Sequence, residues 1–133
     1  MKFLIIDDEP LVRRSLARAL VTKSHEVNEA LDGQEGLTKW RALRPDVVFL
    51  DVLMPGLTGP QVLMELEQEL KQVTTIILIS AFSGDHNPET AQRLGADLFV
   101  PKPFEDIFAL VKIAEELRLS GIKHGAEKKT VRN

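Results

Sequence analysis

Short apolar runs alternate with longer helical patterns along the chain, and this alternation limits the choice of folds more than any other feature of the sequence. Five runs predict strands, at residues 3–6, 26–30, 47–50, 75–79 and 98–100. A pattern with the period of a helix follows each run, at about residues 10–21, 34–43, 59–70, 88–94 and 104–117. Repeated βα units of this kind are typical of a parallel sheet covered by helices. The sequence therefore predicts the α/β class, with three α/β/α layers around a five-stranded parallel sheet.

The apolar patterns also predict where the elements lie. The first, third and fourth runs are almost unbroken, as expected of central strands covered on both faces. The second run alternates between apolar and polar residues, which favours a strand at the edge of the sheet. In the last helix Phe104, Ile107, Val111 and Ala114 form one stripe that would cover the sheet. A chain of 133 residues has room for one such core.

Composition and charge argue against several classes of function. The formal charge is −3 and no basic patch is interleaved with aromatic residues, so we expect no nucleic-acid binding by this chain alone. The absence of cysteine excludes disulfides, zinc thiolates and thiol catalysis. The apolar runs are far shorter than the roughly 18 residues of a membrane span, and Asp7 interrupts the start before a signal-peptide core can form. We therefore expect a cytoplasmic protein without membrane contact.

The C-terminal segment differs from the rest of the chain. The helical pattern stops before residue 120, and residues 120–133 carry a charge of +3 against −6 for residues 1–119. The expected organisation is one domain at residues 1–119, followed at residues 120–133 by a disordered basic tail or the remnant of a linker.

Three carboxylates stand at the ends of two predicted strands. Asp7 and Asp8 follow the first strand, and Asp51 follows the third. In a doubly wound sheet of strand order 2-1-3-4-5, these two strands are neighbours, and their carboxyl ends border the topological switch point. One such residue alone would be expected to cap a turn or a helix. Three together repel one another unless a cation neutralises them, and carboxylate oxygens suit Mg²⁺, so the sequence predicts a magnesium site that Mn²⁺ could also occupy.

Two further polar groups follow the fourth and fifth predicted strands. Ser80 ends the fourth strand, and Lys102 follows the fifth between two prolines. Taken singly, the serine would be a local hydrogen-bonder of the backbone and the lysine a solvated loop charge. Beside the carboxylates, a hydroxyl donor and an ammonium suit phosphoryl transfer in which one carboxylate acts as the nucleophile.

These residues stand in motifs that resemble the receiver domain of two-component response regulators over about residues 3–117. The motifs are FLIIDDEP at 3–10, DVVFLDVLMPG at 46–56, ISA at 79–81, GAD at 95–97 and KPF at 102–104. The spacings agree with that family as well: 43 residues from Asp8 to Asp51, 29 from Asp51 to Ser80 and 22 from Ser80 to Lys102. The resemblance implies a flavodoxin-like sheet in the order 2-1-3-4-5.

The resemblance implies a phosphoacceptor role for Asp51. Its carboxylate would receive a phosphoryl group from a phosphohistidine on a histidine kinase or a histidine phosphotransfer protein. Lys102 would contact the phosphoryl group, and Ser80 would hydrogen-bond to it once it is attached. The peptide bond between Lys102 and Pro103 would be cis, as is usual in that family.

The resemblance also implies a set of metal ligands. Asp8 and Asp51 would bind Mg²⁺ directly, together with the backbone carbonyl of Leu53, whereas Asp7 would act mostly through water.

Phe99 occupies the position of the family's aromatic switch. When Ser80 moves toward a phosphoryl group, the ring could turn inward and alter the face formed by the fourth predicted helix, the fifth strand and the last helix. That face would then change its affinity for a separate downstream protein, or form a phosphorylation-dependent homodimer. The alternative is that Phe99 simply packs on an edge strand, where aromatic residues are common.

Other interpretations of the same residues remain open from sequence alone. The chain could be a stand-alone receiver, or a receiver fragment of a hybrid kinase or of a regulator with an output domain. A magnesium-dependent hydrolase of the haloacid-dehalogenase type also uses an aspartate nucleophile after a strand, but that class needs a second aspartate where this chain has Leu53. A pseudo-receiver that carries no phosphate would be expected to lack some of these acids or the lysine.

Overall fold

The computed structural model describes residues 1–81 and 88–123, and its centre is one parallel sheet. The strands are β1 (Lys2–Ile6), β2 (Glu26–Ala30), β3 (Val47–Asp51), β4 (Thr75–Ser80) and β5 (Leu98–Pro101). They pair in parallel in the order β2-β1-β3-β4-β5, so the predicted class and strand order are confirmed. The second strand is an edge strand, as its alternating pattern predicted.

Six helices connect and cover the strands within the described residues. They are α1 (Pro10–Thr22), α2 (Gly33–Leu43), α3 (Gly59–Glu65), α4 (Gln68–Val73), α5 (Pro88–Arg93) and α6 (Ile107–Lys123). None of the helices in 1–81 and 88–123 combines the length and apolar character needed to cross a lipid bilayer.

The prediction of a single helix at residues 59–70 is wrong, because the structure has two helices there, α3 and α4. Leu66 leaves the helical conformation (φ −75°, ψ 140°) and ends α3. Arg41 of α2 donates a hydrogen bond of 3.1 Å to the carbonyl of Glu65 and pairs with both carboxylate oxygens of Glu67, at 2.9 and 3.1 Å. A side chain from a neighbouring helix thus binds the residues on either side of the break.

The last helix starts later and ends later than predicted. Asp106 caps it, since its Oδ1 accepts hydrogen bonds of 3.1 Å from two backbone amides of the first turn. Phe104 therefore precedes the helix rather than starting it. At the other end, α6 runs to Lys123, so residues 120–123 of the predicted disordered tail are helical. The rest of that tail, residues 124–133, lies outside the described residues.

A hydrogen bond and an ion pair hold the C-terminal half of α6 against the sheet. The carboxylate of Glu115 lies 2.6 Å from Nε2 of His25, the residue before β2. Arg118 pairs with Asp46 before β3 at 3.1 Å and also donates to the carbonyl of Val73. Both contacts lie C-terminal to Ala114, the last residue of the predicted apolar stripe.

The core consists of two apolar clusters, one on each face of the sheet. Alternate residues of the central strands point to opposite faces, as the pleat of a strand requires. One cluster joins Leu4, Leu50 and Leu78 to Leu37, Trp40, Val62 and Leu70 of α2, α3 and α4. The other joins Ile5, Phe49 and Ile77 to Leu16 and Leu20 of α1 and to Val111 and Ala114 of α6. Burial on both faces fixes the register of β1, β3 and β4, and with it the positions of the residues at their carboxyl ends.

Candidate functional site

The carboxyl ends of β1 and β3 bring the three predicted carboxylates together. Asp7 follows β1 directly and donates its backbone N–H to the carbonyl of Ala30 at 3.1 Å, while Asp51 is the last residue of β3. One carboxylate oxygen of each of Asp7, Asp8 and Asp51 lies within 4.8 Å of the others. Asp7 and Asp51 are buried, and Asp8 is the most accessible of the three. The predicted cluster therefore exists, with its accessible side at Asp8.

Lys102 reaches into this cluster from the segment after β5. Its backbone N–H donates to the carbonyl of Ser80 at 2.8 Å, which ties the segment to the end of β4. Its Nζ lies 2.8 Å from Asp7 Oδ2 and 3.5 Å from Asp51 Oδ2. Burial alone would lower the pKa of this ammonium, but the carboxylates of Asp7, Glu9 and Asp51 outweigh it and the pKa is raised. Lys102 is therefore a fixed positive charge beside Asp51.

The surroundings of Asp51 raise the pKa of its carboxyl group strongly. Burial is the main cause that raises its pKa from 3.8 to about 7, and the negative charge of Asp7 adds to the rise while Lys102 opposes it. Burial and nearby negative charges disfavour the ionised form of a carboxyl group unless positive charge compensates for them. The single ammonium of Lys102 does not neutralise the carboxylates of Asp7, Asp8 and Asp51.

The cluster fits a hard divalent cation such as Mg²⁺. Among the described residues, buried Asp7 Oδ2 has no hydrogen-bond donor in good geometry, although the ammonium of Lys102 lies near it. Mg²⁺ in proteins is held by one or two carboxylates together with water and other oxygens. Three carboxylate oxygens at mutual ligand distance, with Asp8 reachable from solvent, can supply those carboxylate ligands. The residues present therefore fit the predicted metal.

The segment from Val52 to Thr58 is folded back tightly over Asp51. The backbone N–H of Gly59 donates to the carbonyl of Val52 at 2.9 Å. A Cβ on Gly59 would lie 2.5 Å from the carbonyl oxygen of Asp51, so only glycine permits this approach. Thr58 then caps α3, in a reciprocal pair of hydrogen bonds with Gln61. The side chain of Leu53 in this segment is exposed, and its backbone lies two residues from Asp51.

The structure places the remaining predicted residues around the same strand ends. Ser80 is buried at the end of β4, opposite Pro101 of β5. Phe99 of β5 is partly buried and packs against the apolar cluster on the α2 side of the sheet. The peptide bond between Lys102 and Pro103 is cis, as predicted.

Two residues that the sequence did not single out also belong to the site. Glu9 Oε1 lies 2.8 Å from Lys102 Nζ. Arg13 donates to the backbone carbonyl of Asp7 at 2.7 Å and pairs with Glu29 of β2 at 3.2 Å, which secures the turn after β1. Glu9 lies inside one of the quoted motifs, but nothing in the sequence indicates that it meets a lysine 93 positions later.

With this geometry established, comparison with known proteins identifies the family. The sequence model of the protein family described as the response regulator receiver domain matches residues 3–115 of this chain. The chain belongs to the response-regulator receiver family. It is thus a signalling domain of the receiver type found in two-component systems.

Curated relatives place the receiver within longer proteins. The probable transcriptional regulator ycf27 of Porphyridium aerugineum is 37% identical over 117 residues, which cover 88% of this chain and 48% of that protein. The transcriptional regulatory protein ResD of Bacillus subtilis is 30% identical over 117 residues, covering 88% of this chain and 48% of ResD. This chain therefore spans about half the length of the curated relatives that it matches.

Solved structures of receivers have the same fold. The receiver domain of the Francisella response regulator 1452 matches with a TM-score of 0.80 and 27% identity, covering 90% of this chain and 97% of that one. The response regulator TrrA of Thermotoga maritima, in complex with Mg²⁺ and BeF, matches with a TM-score of 0.75 and 32% identity, over 87% of this chain and 97% of that one. Receiver domains bind Mg²⁺ at an acidic cluster, and this chain contains such a cluster.

The raised pKa of Asp51 predicts how stability depends on pH without a divalent cation. Because the pKa is higher in the folded protein than in the unfolded chain, the stabilisation is present below about pH 4 and is lost as the pH rises through about 7. Asp51→Asn should remove this loss and stabilise the metal-free protein by about 1–2 kcal/mol at pH 8, less than the full linkage energy because asparagine also loses the attraction to Lys102. Urea unfolding in EDTA at pH 5 and pH 8 measures the difference. An equal effect of the substitution at both values would contradict the prediction.

Proposed function

We propose that Asp51 is the phosphoacceptor of this receiver and that it takes the phosphoryl group from a phosphohistidine of a histidine kinase or histidine phosphotransfer protein. The observation that carries this proposal is the position of the Asp51 carboxylate, which is buried at the end of β3 with an ammonium 3.5 Å away and two more carboxylates around it. A nucleophilic oxygen, positive charge for the transferred group and donors for a divalent cation therefore meet at one point.

The transfer itself needs little covalent chemistry from the protein. A carboxylate oxygen of Asp51 forms a bond to phosphorus while the bond between phosphorus and the imidazole nitrogen breaks. The bonding electrons stay on that nitrogen, and the imidazole leaves as a neutral ring with one proton, which its other nitrogen carries or water supplies. Lys102 faces the negative charge of the phosphoryl oxygens, and the Ser80 hydroxyl donates a hydrogen bond to one of them. Positioning and charge neutralisation supply most of the rate in such transfers. The same groups would assist hydrolysis of the acyl phosphate, so the receiver would take part in its own phosphorylation and dephosphorylation.

Mg²⁺ is the proposed cofactor, and Mn²⁺ would be expected to replace it. Asp8, Asp51 and the backbone carbonyl of Leu53 would hold the ion, with Asp7 acting through water. When bound, the ion neutralises the negative charge that gathers on the transferred group. The raised pKa of Asp51 and the position of buried Asp7 Oδ2, whose one charged neighbour among the ion pairs of the described residues is Lys102, support this assignment.

The proposed output follows from the position of Ser80 and Phe99 on neighbouring strands. A hydroxyl that turns toward the phosphoryl group would leave space for the Phe99 ring, and the face formed by α5, β5 and α6 would change its affinity for a downstream protein or for a second copy of the chain. We propose residues 1–119 as the phosphoaccepting unit and the basic residues 120–133 as its tail or linker, with α6 extending into the start of that segment. The relatives named transcriptional regulators are about twice as long, which favours a receiver that works with an output domain.

Phosphorylation by a small donor tests the proposal directly. The protein is incubated with acetyl phosphate with and without Mg²⁺, and its intact mass is recorded. We expect one base-labile phosphoryl group on the wild type with Mg²⁺, none without a divalent ion and none on Asp51→Asn.

Asp32→Asn provides the matched control. Asp32 also follows a strand, but it caps α2 by accepting a hydrogen bond of 2.8 Å from the Glu35 amide, a role that asparagine can fill. This variant should be phosphorylated as fast as the wild type. Equal phosphorylation of Asp51→Asn, or none of the wild type even with a competent phosphohistidine donor, would refute the proposal.

A further inference from the structure

Glu9 forms an outer contact to the lysine of the site. Its Oε1 lies 2.8 Å from Lys102 Nζ, as close as the buried Asp7 on the inner side. The Glu9 side chain is 55% exposed, whereas that of Lys102 is 7% exposed. The ammonium is thus held between a buried carboxylate and one at the surface.

The side chain of Glu9 is directed to Lys102 rather than to its own helix. Glu9 is the N-cap residue of α1, but its side chain makes no capping hydrogen bond. Its backbone N–H donates to Asp7 Oδ1 at 2.8 Å, which fixes the Glu9 backbone beside the carboxylate cluster. The carboxylate itself lies outside the group of described residues whose oxygens come within 4.8 Å of one another, so Glu9 is not one of the clustered metal donors.

Attachment of a phosphoryl group to Asp51 must change the contacts of Lys102. In the structure its Nζ lies nearer to Asp7 and Glu9 than to Asp51, with distances of 2.8, 2.8 and 3.5 Å. An ammonium has three N–H donors, and two of them face Asp7 and Glu9 at 2.8 Å. The third can pass from Asp51 to a phosphoryl oxygen, but Nζ can move closer to the phosphoryl group or donate a second hydrogen bond to it only if one of the two close carboxylates gives way. Glu9 is the partner that is easiest to release, because water can solvate an exposed carboxylate, while a buried one would be left unpaired.

We propose that Glu9 is a positioning residue that holds Lys102 away from the phosphoryl position in the unmodified receiver and competes with the phosphoryl group for the ammonium. This inference rests on the proposed function of Asp51. Glu9 then lowers the affinity of the site for a phosphoryl group and slows its arrival. It also favours the unmodified state when the donor is scarce.

The probe is beryllium fluoride, whose trifluoride attaches to a carboxylate oxygen in place of a phosphoryl group. Its dissociation constant is measured by calorimetry at saturating Mg²⁺, so that a change in the affinity for the metal does not affect the measured value. We expect Glu9→Gln to bind roughly threefold to tenfold more tightly than the wild type, because one screened charge contact no longer competes. The initial rate of phosphorylation by acetyl phosphate should rise by a similar factor.

Glu67→Gln is the matched control, because Glu67 is 51% exposed and pairs with Arg41 at 2.9 Å, on the helix side of the molecule. It removes the same charge and should leave both values at those of the wild type. A merely structural role for Glu9 would change the melting temperature but not the dissociation constant. An unchanged dissociation constant for Glu9→Gln would overturn the inference.

The variant Glu9→Asp distinguishes the effect of the direct contact with Lys102 from the effect of the negative charge alone. It keeps the charge but is one methylene shorter, so it should loosen Lys102 and give an affinity between those of the wild type and Glu9→Gln. If Glu9→Asp matches the wild type while Glu9→Gln differs, the effect is long-range repulsion and the positioning role is overturned. If the wild type binds no beryllium fluoride and accepts no phosphoryl group, both the proposed function and this inference are overturned. If the wild type does both and Glu9→Gln has the same dissociation constant, the inference alone is overturned.

Discussion

Lys102→Ala is expected to slow phosphorylation by acetyl phosphate about 100-fold at saturating Mg²⁺, the size of effect that follows from removing one preorganised donor to developing negative charge. Lys102 is 7% exposed and its Nζ lies within 3.5 Å of Asp51 Oδ2. No other lysine or arginine of the described residues forms an ion pair with Asp51. Water that fills the space left by the side chain would carry no charge to replace the ammonium.

The fold of Lys102→Ala should persist, because the two apolar clusters do not include this side chain. Circular dichroism in Mg²⁺ checks the fold, and intact mass over time gives the rate. Lys39→Ala is the control, since Lys39 of α2 is a partly exposed lysine whose ion pair is with Glu35 at 3.9 Å. A Lys102→Ala rate within twofold of the Lys39→Ala rate would remove Lys102 from the site.

Much of the fold could be predicted because its signals are local. Strands buried on both faces appear in the sequence as unbroken apolar runs, and the edge strand β2 appears as an alternating one. The break between α3 and α4 has no such signal, because Val62, Leu63, Leu66 and Leu70 keep a helical spacing across it. What marks the break is Arg41 of another helix, which binds residues on both sides. A contact of this kind depends on tertiary structure and is invisible to periodicity.

The end of α6 was missed for a similar reason. Gly121 interrupts the helical pattern, and glycine lowers helix propensity by about 1 kcal/mol relative to alanine. Glu115 and Arg118, which precede Gly121, contact His25 and Asp46 and hold this part of α6 on the sheet. Local propensity predicted a helix end near residue 117, and it does not register contacts that depend on tertiary structure.

Some residues of the candidate site could also be predicted from the sequence, and one could not. Asp7, Asp8, Asp51 and Lys102 could be predicted because each comes at the end of a strand, and the topology of the sheet brings those ends together. Glu9 could not, because its contact depends on the rotamer it adopts at the start of α1 rather than on a strand end. The roles of individual residues at the site therefore need the experiments above, whereas their convergence follows from the fold.

Gly59→Ala is expected to destabilise the protein by about 1–3 kcal/mol, the usual cost of overpacking a tight contact. A Cβ at this position would lie 2.5 Å from the carbonyl oxygen of Asp51 and 3.0 Å from the Cα of Val52. Both neighbours are backbone atoms, so no side-chain rotation can relieve the clash. The segment between β3 and α3 must move away from Asp51, and with it the carbonyl of Leu53 that we propose as a metal ligand.

Urea unfolding with and without Mg²⁺ measures both consequences of Gly59→Ala. The midpoint without metal should fall with an unchanged slope, and the additional stabilisation by Mg²⁺ should be smaller than in the wild type, because a displaced ligand weakens binding to the folded state. Gly121→Ala is the control: its Cβ would have ordinary contact with Thr75 Oγ1 at 3.6 Å, and alanine favours the helix, so stability should stay equal or rise. If Gly59→Ala unfolds at the wild-type midpoint and gains as much from Mg²⁺, then the close approach of α3 to Asp51 does not position the site.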